Sequence, residues 1–378
     1  MGVFEESVGT FLSPVKDYLA DDSITEVLVN GPNEVFVERR GLLEKTPAKF
    51  MDEQALEAAI RNIAQFVGRR IDEDNPILDA RLPDGSRVAA VLPPCSRKGA
   101  TLSIRKFSKG NPSFVDLINR GSISKEGARF LDVCIYLAKN IIISGGTGSG
   151  KTTLLNVLGS RIPGTQRLLI IEDSSELKIN TDHVVFFETK HPDEMGKGAV
   201  SIRDLIKSAL RLRPDRIVVG EVRGPEALDL ITAMNTGHGG SMGTTHANTP
   251  YDALVRLETL SMMGDTQVPV AAIRRQIAAA IHLVTQIKRM HDGTRKITNI
   301  TEVIPEVDEA GRYQLRDIYK FVQRGKSADG HIVGEFIPTG YIPSFMHEIE
   351  LNRLPFPKEK FTPPAWYQQM IQANKNAA

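Results

Sequence analysis

The stretch IIISGGTGSGKT, residues 141 to 152, decides the predicted fold. Three isoleucines typical of a buried strand precede the pattern G-x-x-x-x-G-K-[ST], and a run typical of a helix follows it, which is the context that a phosphate-binding loop requires. Glycines let consecutive backbone N–H groups turn toward phosphate oxygens, and the helix adds the partial positive charge of its N-terminus. The stretch therefore predicts a nucleotide-binding loop between a strand and a helix.

Two side chains of this loop have predicted roles of their own. Lys151 is expected to reach the β- and γ-phosphates, and the hydroxyl of Thr152 is expected to bind Mg²⁺. The sequence has no N-K-x-D guanine-reading motif, so ATP is the predicted nucleotide. The residues predicted to bind it are Gly145, Gly146, Thr147, Gly148, Ser149, Gly150, Lys151, Thr152 and Thr153.

The segments around the loop indicate the α/β class. From about residue 115, strand-like runs such as RLLIIED and RIVVGE alternate with helix-like runs such as SIRDLIKSALRL, which predicts a parallel-rich sheet with crossover helices. Earlier Val- and Ile-rich runs and one amphipathic helix indicate a smaller α+β domain. The predicted division is an N-terminal α+β domain over 1–107, a linker over 108–114, the nucleotide-binding domain over 115–325, and an irregular Pro- and aromatic-rich tail over 326–378.

Composition limits the remaining classes of function. Lys and Arg number 47 against 46 Asp and Glu, so bulk charge gives no reason to expect binding to nucleic acid or to an acidic membrane surface. Cys95 and Cys134 lie far apart and predict neither a zinc site nor a disulfide framework. The N-terminus does not resemble a signal peptide, and no apolar run is long enough to span a bilayer. These features favour a soluble protein in a reducing cytoplasm.

Carboxylates follow two of the predicted buried strands. Glu221 comes after Ile217-Val218-Val219 in RIVVGE, where it is expected to bind the metal ion or to orient a metal-bound water. Glu172, Asp173 and Glu176 follow the strand in LLIIEDSSEL, near the sheet edge where ligands bind. One of these three is the candidate general base. For any single one of them, the role of a solvated, helix-capping carboxylate stays open.

Two histidines are candidates for sensing the nucleotide. His246 lies in TTHANT, and a neutral imidazole there can donate one hydrogen bond to a γ-phosphate oxygen and lose it when phosphate leaves. His238, in Thr236-Gly237-His238-Gly239, is the weaker candidate, with the capping of a helix C-terminus as its alternative. For a lone histidine such as His246, the alternative is an ordinary core or loop residue.

The ordered motifs GGTGSGKT, IEDSSEL, ALRLRPDRIVVGEVRG and TGHGGSMGTTHANT resemble those of the ATPase superfamily that powers type II and type IV secretion and type IV pili. The segments ITEVLVNGPNEVFVE, RLPDGSRV and TLSIRKF resemble the CpaF-type branch, the motor of tight-adherence (Tad/Flp) pili, so the likeness spans about residues 20 to 325. Two distant cysteines cannot build the tetracysteine zinc element of many type II members, which favours the tight-adherence or conjugation branch.

This resemblance implies a RecA-like nucleotide-binding domain in a homo-hexameric ring, with the active site between the two domains. It assigns water activation to Glu176, the Walker B acid to Glu221, and a place near the γ-phosphate to His246. Arg87 and Arg105 match positions where the family keeps arginines that couple the N-terminal domain to the nucleotide, and a solvated strand residue is the alternative for each. The implied place is cytoplasmic and peripheral at the inner membrane, with a membrane platform protein as partner and no nucleic acid expected.

Two other functions stay open on the sequence alone. One is a conjugation-type secretion ATPase that exports DNA or effector proteins, and the other is a scaffold that binds ATP with little turnover. For the tight-adherence motor, pilus assembly is the expected activity, with retraction as a further role left open.

A basic stripe and a neighbouring arginine lie near the Walker B strand. The stripe of Arg203, Lys207 and Arg211 has helical spacing, and because like charges at that spacing repel, an anion is expected beside it. Acidic groups of a neighbouring subunit are the simplest candidate, with a nucleic-acid backbone as the alternative. Arg223 is expected to pair with one of the carboxylates after LLII or to reach a subunit interface.

Overall fold

The computed structural model describes residues 11–107, 110–190, 192, 196–264 and 268–376. The chain divides into two compact units, Met1–Gly110 and Asn111–Ala378. Residues 108 and 109 of the predicted linker lie outside the described residues. The linker's last residue, Phe114, already begins a helix, because the Ser113 side chain and Asp116 form a capping box there.

The N-terminal unit contains an antiparallel sheet whose strands lie in the order β3-β2-β1-β6-β5-β4. Its strands are β1 (Ile24–Asn30), β2 (Val35–Arg39), β3 (Leu42–Lys45), β4 (Ile77–Arg81), β5 (Arg87–Val91) and β6 (Thr101–Arg105). Its helices are α1 (Lys16–Ala20) and α2 (Glu53–Phe66), and a 3₁₀ turn covers Ser13–Val15. The predicted amphipathic helix is α2, and its apolar stripe enters the core of this unit.

The C-terminal unit contains a larger mixed sheet, in the order β15-β14-β13-β12-β7-β11-β10-β8-β9. Its strands are β7 (Ile141–Ser144), β8 (Leu168–Glu172), β9 (Val184–Glu188), β10 (Arg216–Val219), β11 (Met242–Thr245), β12 (Leu283–Arg289), β13 (Arg295–Val307), β14 (Tyr313–Lys326) and β15 (Ile332–Pro338). The segment from β12 through β9 in this order is parallel, and the pairs from β12 to β15 are antiparallel.

Helices cover both faces of this sheet. They are α3 (Phe114–Asn119), α4 (Lys125–Tyr136), α5 (Lys151–Gly159), α6 (Ile202–Ala209), α7 (Glu226–Asn235), α8 (Pro250–Ser261), α9 (Val270–Ala280), α10 (Met346–Leu351) and α11 (Ala365–Asn376), with a 3₁₀ turn at Lys358–Phe361. Ile141 and Ile143 belong to the core on one face and Ile142 to the core on the other, as the alternation of a strand requires. The predicted α/β class with a smaller N-terminal α+β domain is confirmed.

The sheet order brings the sequence motifs to one edge. Strands β7, β8, β10 and β11 are buried along their whole length and run parallel, so their carboxyl ends lie at the same edge. The glycine-rich loop (residues 145–152) follows β7, and the other three motifs follow β8, β10 and β11. This edge is therefore where an open α/β sheet binds its ligands.

The prediction of an irregular surface tail over 326–378 is wrong. Strand β15 pairs with β14 in the sheet, and α10 and α11 follow it. Rings of Phe345, Phe356 and Phe361 pack against buried Phe130, with centroids 6.2, 5.6 and 5.6 Å away. These three phenylalanines follow no helical or strand period in the sequence. They are core residues nevertheless, because the short turns of this segment place their rings in one cluster. Within the described residues, no helix is both long and apolar enough to cross a bilayer.

Candidate active site

The backbone of the glycine-rich loop explains its glycines. Gly148 and Gly150 have φ angles of +66° and +101°, a region that residues with a Cβ rarely adopt. A Cβ on Gly145 would overlap the carbonyl oxygen of Ile287 on β12. Side chains at these three positions would displace the loop, and the first turn of α5 directly follows it with Thr152 and Thr153 half-buried.

Lys151 lies inside the loop, and only 7% of it is exposed. Its Nζ donates to the carbonyl oxygens of Gly145 and Gly146, at 3.0 and 3.1 Å. It also lies 3.4 Å from each ring nitrogen of His246. Because a buried ammonium needs hydrogen-bond partners, these carbonyls stabilise it, and a phosphate bound in the loop would compete with them for the same protons.

Glu221 occupies the carboxyl end of β10, one residue beyond Gly220. Its Oε2 accepts a hydrogen bond of 2.7 Å from Arg223, and its Oε1 lies 2.6 Å from Nε2 of His246. Burial acts to raise the pKa of Glu221, but the Arg223 hydrogen bond and nearby positive charges together hold that pKa below its usual value. The carboxylate is therefore ionised at neutral pH.

His246 contacts both of the predicted catalytic charges. Burial lowers its pKa, the nearby ammonium of Lys151 lowers it further, and the carboxylate of Glu221 opposes these effects. The imidazole is thus neutral at pH 7, and its Nε2 is the ring nitrogen that lies beside the Glu221 carboxylate, 2.6 Å from Oε1. The structure brings Lys151, His246 and Glu221 together, as the sequence predicted for one site.

The three carboxylates after β8 have different environments. Glu172 is buried, and its Oε1 accepts backbone N–H groups of Glu176 and Leu177 at 2.8 and 2.9 Å. Burial raises the pKa of Glu172 to about 7. Asp173 is exposed, accepts from the Thr189 hydroxyl, and lies 3.8 Å from Nη1 of Arg223. Glu172 therefore shapes the turn that presents half-buried Glu176, and Glu176 stays the predicted general base.

Two residues that the sequence reasoning missed hold the loops in place. Asn156 on α5 accepts the backbone N–H of Lys178 at 2.7 Å, which ties the turn after β8 to the helix of the glycine-rich loop. Glu226 accepts the N–H groups of Arg223 and Gly224, at 2.7 and 2.8 Å, and so fixes the loop after β10. The position of Glu226 after Gly224-Pro225, in the first turn of α7, was the available signal.

The structure shows in-chain contacts for two residues whose roles the sequence left open. Arg223 pairs with Glu221 and lies near Asp173, so its partners include a carboxylate after LLII. Nδ1 of His238 lies 3.3 Å from the carbonyl oxygen of Ala233 in the last turn of α7, which is the capping alternative. His238 therefore has a structural contact, and His246 is the histidine of the site.

The basic stripe has an anionic partner within the chain. Nε of Arg203 lies 2.9 Å from Oδ2 of Asp229 on α7, whereas Lys207 and Arg211 are exposed. For Arg203, the same chain supplies the expected anion. The helix packing of α6 on α7 supplies the carboxylate, which spacing along α6 alone does not reveal.

The candidate sensor arginines lie in the N-terminal unit. Arg87 on β5 and Arg105 on β6 are direct register partners, and Nε of Arg105 is 3.8 Å from Oε1 of Glu26. Their side chains are therefore neighbours on one face of that sheet. Their link to the nucleotide stays a prediction.

The donor atoms near the loop suit a hard cation. Among the described residues, no group of three or more His, Cys, Asp and Glu side chains is arranged to hold a metal. Mg²⁺ in nucleotide sites takes one or two protein oxygens, and phosphates and waters complete its shell. The hydroxyl of Thr152 and the carboxylate of Glu221 are oxygen donors of this kind.

A glycine-rich loop at the carboxyl edge of parallel strands, with a buried lysine inside it, defines a RecA-like nucleotide-binding protein of the α/β class. The family model described as Type II/IV secretion system protein matches residues 10–323. The chain therefore belongs to this family of secretion and pilus ATPases, whose activity implies nucleotide binding and ATP hydrolysis.

Several known proteins resemble the chain over most of its length. A putative conjugal transfer protein of Mycobacterium tuberculosis is 35% identical over 317 residues, covering 82% of this chain and 88% of the relative. The type IV secretion system protein VirB11 of Brucella suis is 34% identical over 325 residues, covering 79% and 90%. The solved structure of the Legionella pneumophila ATPase DotB, 20% identical with a TM-score of 0.50, covers 80% of this chain and 82% of that one and supports the fold.

Proposed function

We propose that the chain is a Mg²⁺-dependent ATPase, acting as a homo-hexameric motor that assembles a tight-adherence type IV pilus. The observation that carries the ATPase part is the contact of Lys151 and Glu221 with a single histidine, His246, beside the glycine-rich loop. The N-terminal motifs that resemble the CpaF type support the tight-adherence branch. The motor works at the cytoplasmic face of the inner membrane, with a membrane platform protein as partner and no nucleic acid as cargo.

Each residue of the site has a proposed role in hydrolysis. The backbone of the glycine-rich loop binds the phosphates, and Lys151 neutralises charge that develops on the γ-phosphate. Glu176 takes a proton from the attacking water, and Glu221, which pairs with Arg223, positions that water or the metal ion. Thr152 and Glu221 would hold Mg²⁺, directly or through water, and the ion would supply positive charge to the phosphates.

His246 reports the state of the γ-phosphate by exchanging partners. Its Nε2 lies 2.6 Å from Oε1 of Glu221, and a γ-phosphate oxygen would compete with this carboxylate for contact with the imidazole. Moving a two-state element from 1:99 to 99:1 needs about 5.5 kcal/mol, whereas one hydrogen bond to a charged group contributes about 1.5 to 3. Two to four contacts with the γ-phosphate are therefore needed. The proposed contacts come from Lys151, His246, Arg87 and Arg105.

A conjugation-type secretion ATPase that exports DNA or effectors is the second candidate. The observation that favours it is the 35% identity to a putative conjugal transfer protein over 82% of the chain. A scaffold with little turnover is less well supported, because the site keeps an ionised Glu221 beside Lys151.

The proposed function is tested with the purified chain, by measuring its ATPase rate and its mass by light scattering, with and without added DNA. We expect a hexamer whose hydrolysis is lost in Glu176→Gln and does not respond to DNA. Strong stimulation by DNA would favour the conjugation-type candidate. Nucleotide binding without turnover would favour the scaffold.

A further inference from the structure

The hairpin of β12 and β13 lies directly against the glycine-rich loop. Nε of Arg295, the first residue of β13, donates a hydrogen bond of 2.9 Å to the carbonyl oxygen of Gly148. A Cβ on Gly150 would lie 3.3 Å from Cδ of the same arginine, and a Cβ on Gly148 would lie 3.3 Å from Nη1 of Arg289. Two half-buried arginines therefore pack on the loop from outside the motifs that predicted the site.

The bond to Gly148 fixes the direction of the next backbone N–H. In a trans peptide the C=O and the following N–H point in opposite directions. Because Arg295 holds the Gly148 carbonyl outward, the N–H of Ser149 points into the loop. That N–H makes a long contact of 3.4 Å to the Gly146 carbonyl, which a phosphate oxygen can replace at little cost.

The hairpin places two positive charges beside the loop. Arg289 and Arg295 are direct register partners of the antiparallel pair, so their side chains lie on the same face of the hairpin. Both side chains approach glycines of the loop. The hairpin thus adds positive potential on this side of the loop.

The turn of the hairpin is held at both of its sides. Asp292 accepts the backbone N–H and the hydroxyl of Thr294, at 3.0 and 2.6 Å. Its other carboxylate oxygen accepts the N–H of Ile332 at 2.8 Å, at the start of β15. The backbone that carries Arg295 is therefore anchored to the next hairpin of the sheet.

We propose that Arg295 is a positioning residue for nucleotide binding, which orients the Gly148 peptide so that the Ser149 N–H faces the phosphates. This inference rests on the proposed function, because it takes a nucleoside diphosphate or triphosphate as the ligand of the loop. Arg289 contributes positive potential on the same side.

The test uses the full chain with Arg295→Gln and Arg295→Lys, and with Arg312→Gln as matched control. Arg312 also lies in a hairpin of the sheet, where its Nε pairs with Asp308 at 2.8 Å, and its side chain is 70% exposed. ADP affinity is measured by calorimetry, KM and kcat for ATP by phosphate release, and melting by circular dichroism.

We expect Arg295→Gln to weaken ADP binding about tenfold, which corresponds to about 1.4 kcal/mol, and to raise KM by a similar factor with kcat nearly unchanged. Arg295→Lys keeps the charge but lacks the planar Nε donor, so its affinity falls between those of wild type and Arg295→Gln. Arg312→Gln keeps the wild-type values.

Wild-type ADP affinity in Arg295→Gln would overturn the inference. So would a parallel loss of kcat and melting temperature in both Arg295 variants, because that pattern indicates a purely structural role. If Arg295→Gln does not fold, the affinity of Arg295→Lys decides in the same way. A wild type that binds ADP without hydrolysing ATP contradicts the proposed motor, while the ADP affinities still decide on Arg295.

Discussion

Glu172 and Glu221 follow neighbouring parallel strands, yet their surroundings are opposite in kind. Glu172, at the end of β8, receives two backbone N–H groups, and burial raises its pKa to about 7. Glu221, just beyond β10, meets Arg223 and His246, and its pKa lies below the usual value. The backbone partners of Glu172 fix the turn of its loop, whereas the Arg223 guanidinium beside Glu221 keeps that carboxylate charged.

At this one sheet edge, Glu172 determines the shape of a loop and Glu221 provides a charge. β8 and β10 are direct parallel neighbours, so the two carboxylates lie on adjacent loops. The loop after β8 has to hold a defined turn so that Glu176 is presented to the site. The loop after β10 has to keep the Glu221 carboxylate ionised for the proposed hydrolysis. We therefore expect substitutions of the two glutamates to change different quantities.

The largest effect on hydrolysis is expected from Glu221→Gln. Loss of a preorganised charge in a reactive site lowers kcat by about 100- to 1000-fold, and steady-state phosphate release measures it. Glu258→Gln is the matched control, because Glu258 is also buried and pairs with an arginine, Arg274, at 2.7 Å. A rate in Glu221→Gln equal to that of the control would remove Glu221 from the chemistry.

A smaller effect is expected from Arg223→Gln. Without the Arg223 hydrogen bond, the pKa of Glu221 rises, so the acid limb of the pH–rate profile moves to higher pH. We expect a loss of about 10- to 100-fold at neutral pH, on the scale of one charge-assisted hydrogen bond of about 1.5 to 3 kcal/mol. Arg203→Gln, which breaks the ion pair with Asp229, is the control. An unshifted acid limb in Arg223→Gln would contradict the pairing of Arg223 with Glu221.

The smallest effect on hydrolysis is expected from Glu172→Gln, which keeps an oxygen that accepts the two backbone N–H groups. We expect a rate within about threefold of wild type, since one neutral hydrogen bond contributes about 0.5 to 1.5 kcal/mol. A much larger loss would show that the Glu172 carboxylate takes part in the reaction.

The same variant tests the raised pKa of Glu172 through stability. Burial favours the protonated carboxyl, so its contribution to stability is present below about pH 4.5 and is lost as the pH rises through about 7. A shift of this size corresponds to at most about 3 kcal/mol. The melting temperature of Glu172→Gln is therefore expected to exceed that of wild type increasingly from about pH 5 to 8, and a constant difference would contradict the raised pKa.

The sequence predicted the parts of the site that are local in the chain. The glycine pattern of 145–152 and the acidic residue after an apolar strand pointed to Lys151 and Glu221, because backbone geometry and strand ends are encoded in short stretches. Glu176 was singled out only by the family resemblance, and its role stays a prediction. The opposite pKa shifts of Glu172 and Glu221 were not predictable from the sequence, since they depend on which hydrogen-bond donors of the neighbouring loops lie beside each carboxylate. Arg295 was missed for the same reason, because it is 147 residues from Gly148 in the chain.

The fold shows the same limit in its C-terminal segment. Parallel strands such as β7 were predicted from continuous apolar runs, and their parallel arrangement was predicted from their alternation with helices. Residues after 325 have no clear period, so they were assigned to a surface tail, although Phe345, Phe356 and Phe361 contact Phe130. Core residues that arrive singly between turns leave no periodic signal in a sequence.

ATP hydrolysis by this chain is decided by the rate of phosphate release in the presence of Mg²⁺, measured on the purified wild type and on Lys151→Ala. We expect steady turnover by wild type and a loss of at least about 100-fold in the variant, because the proposed role of Lys151 is to supply positive charge at the γ-phosphate. Equal rates for the two proteins, or no turnover by wild type, would contradict this expectation.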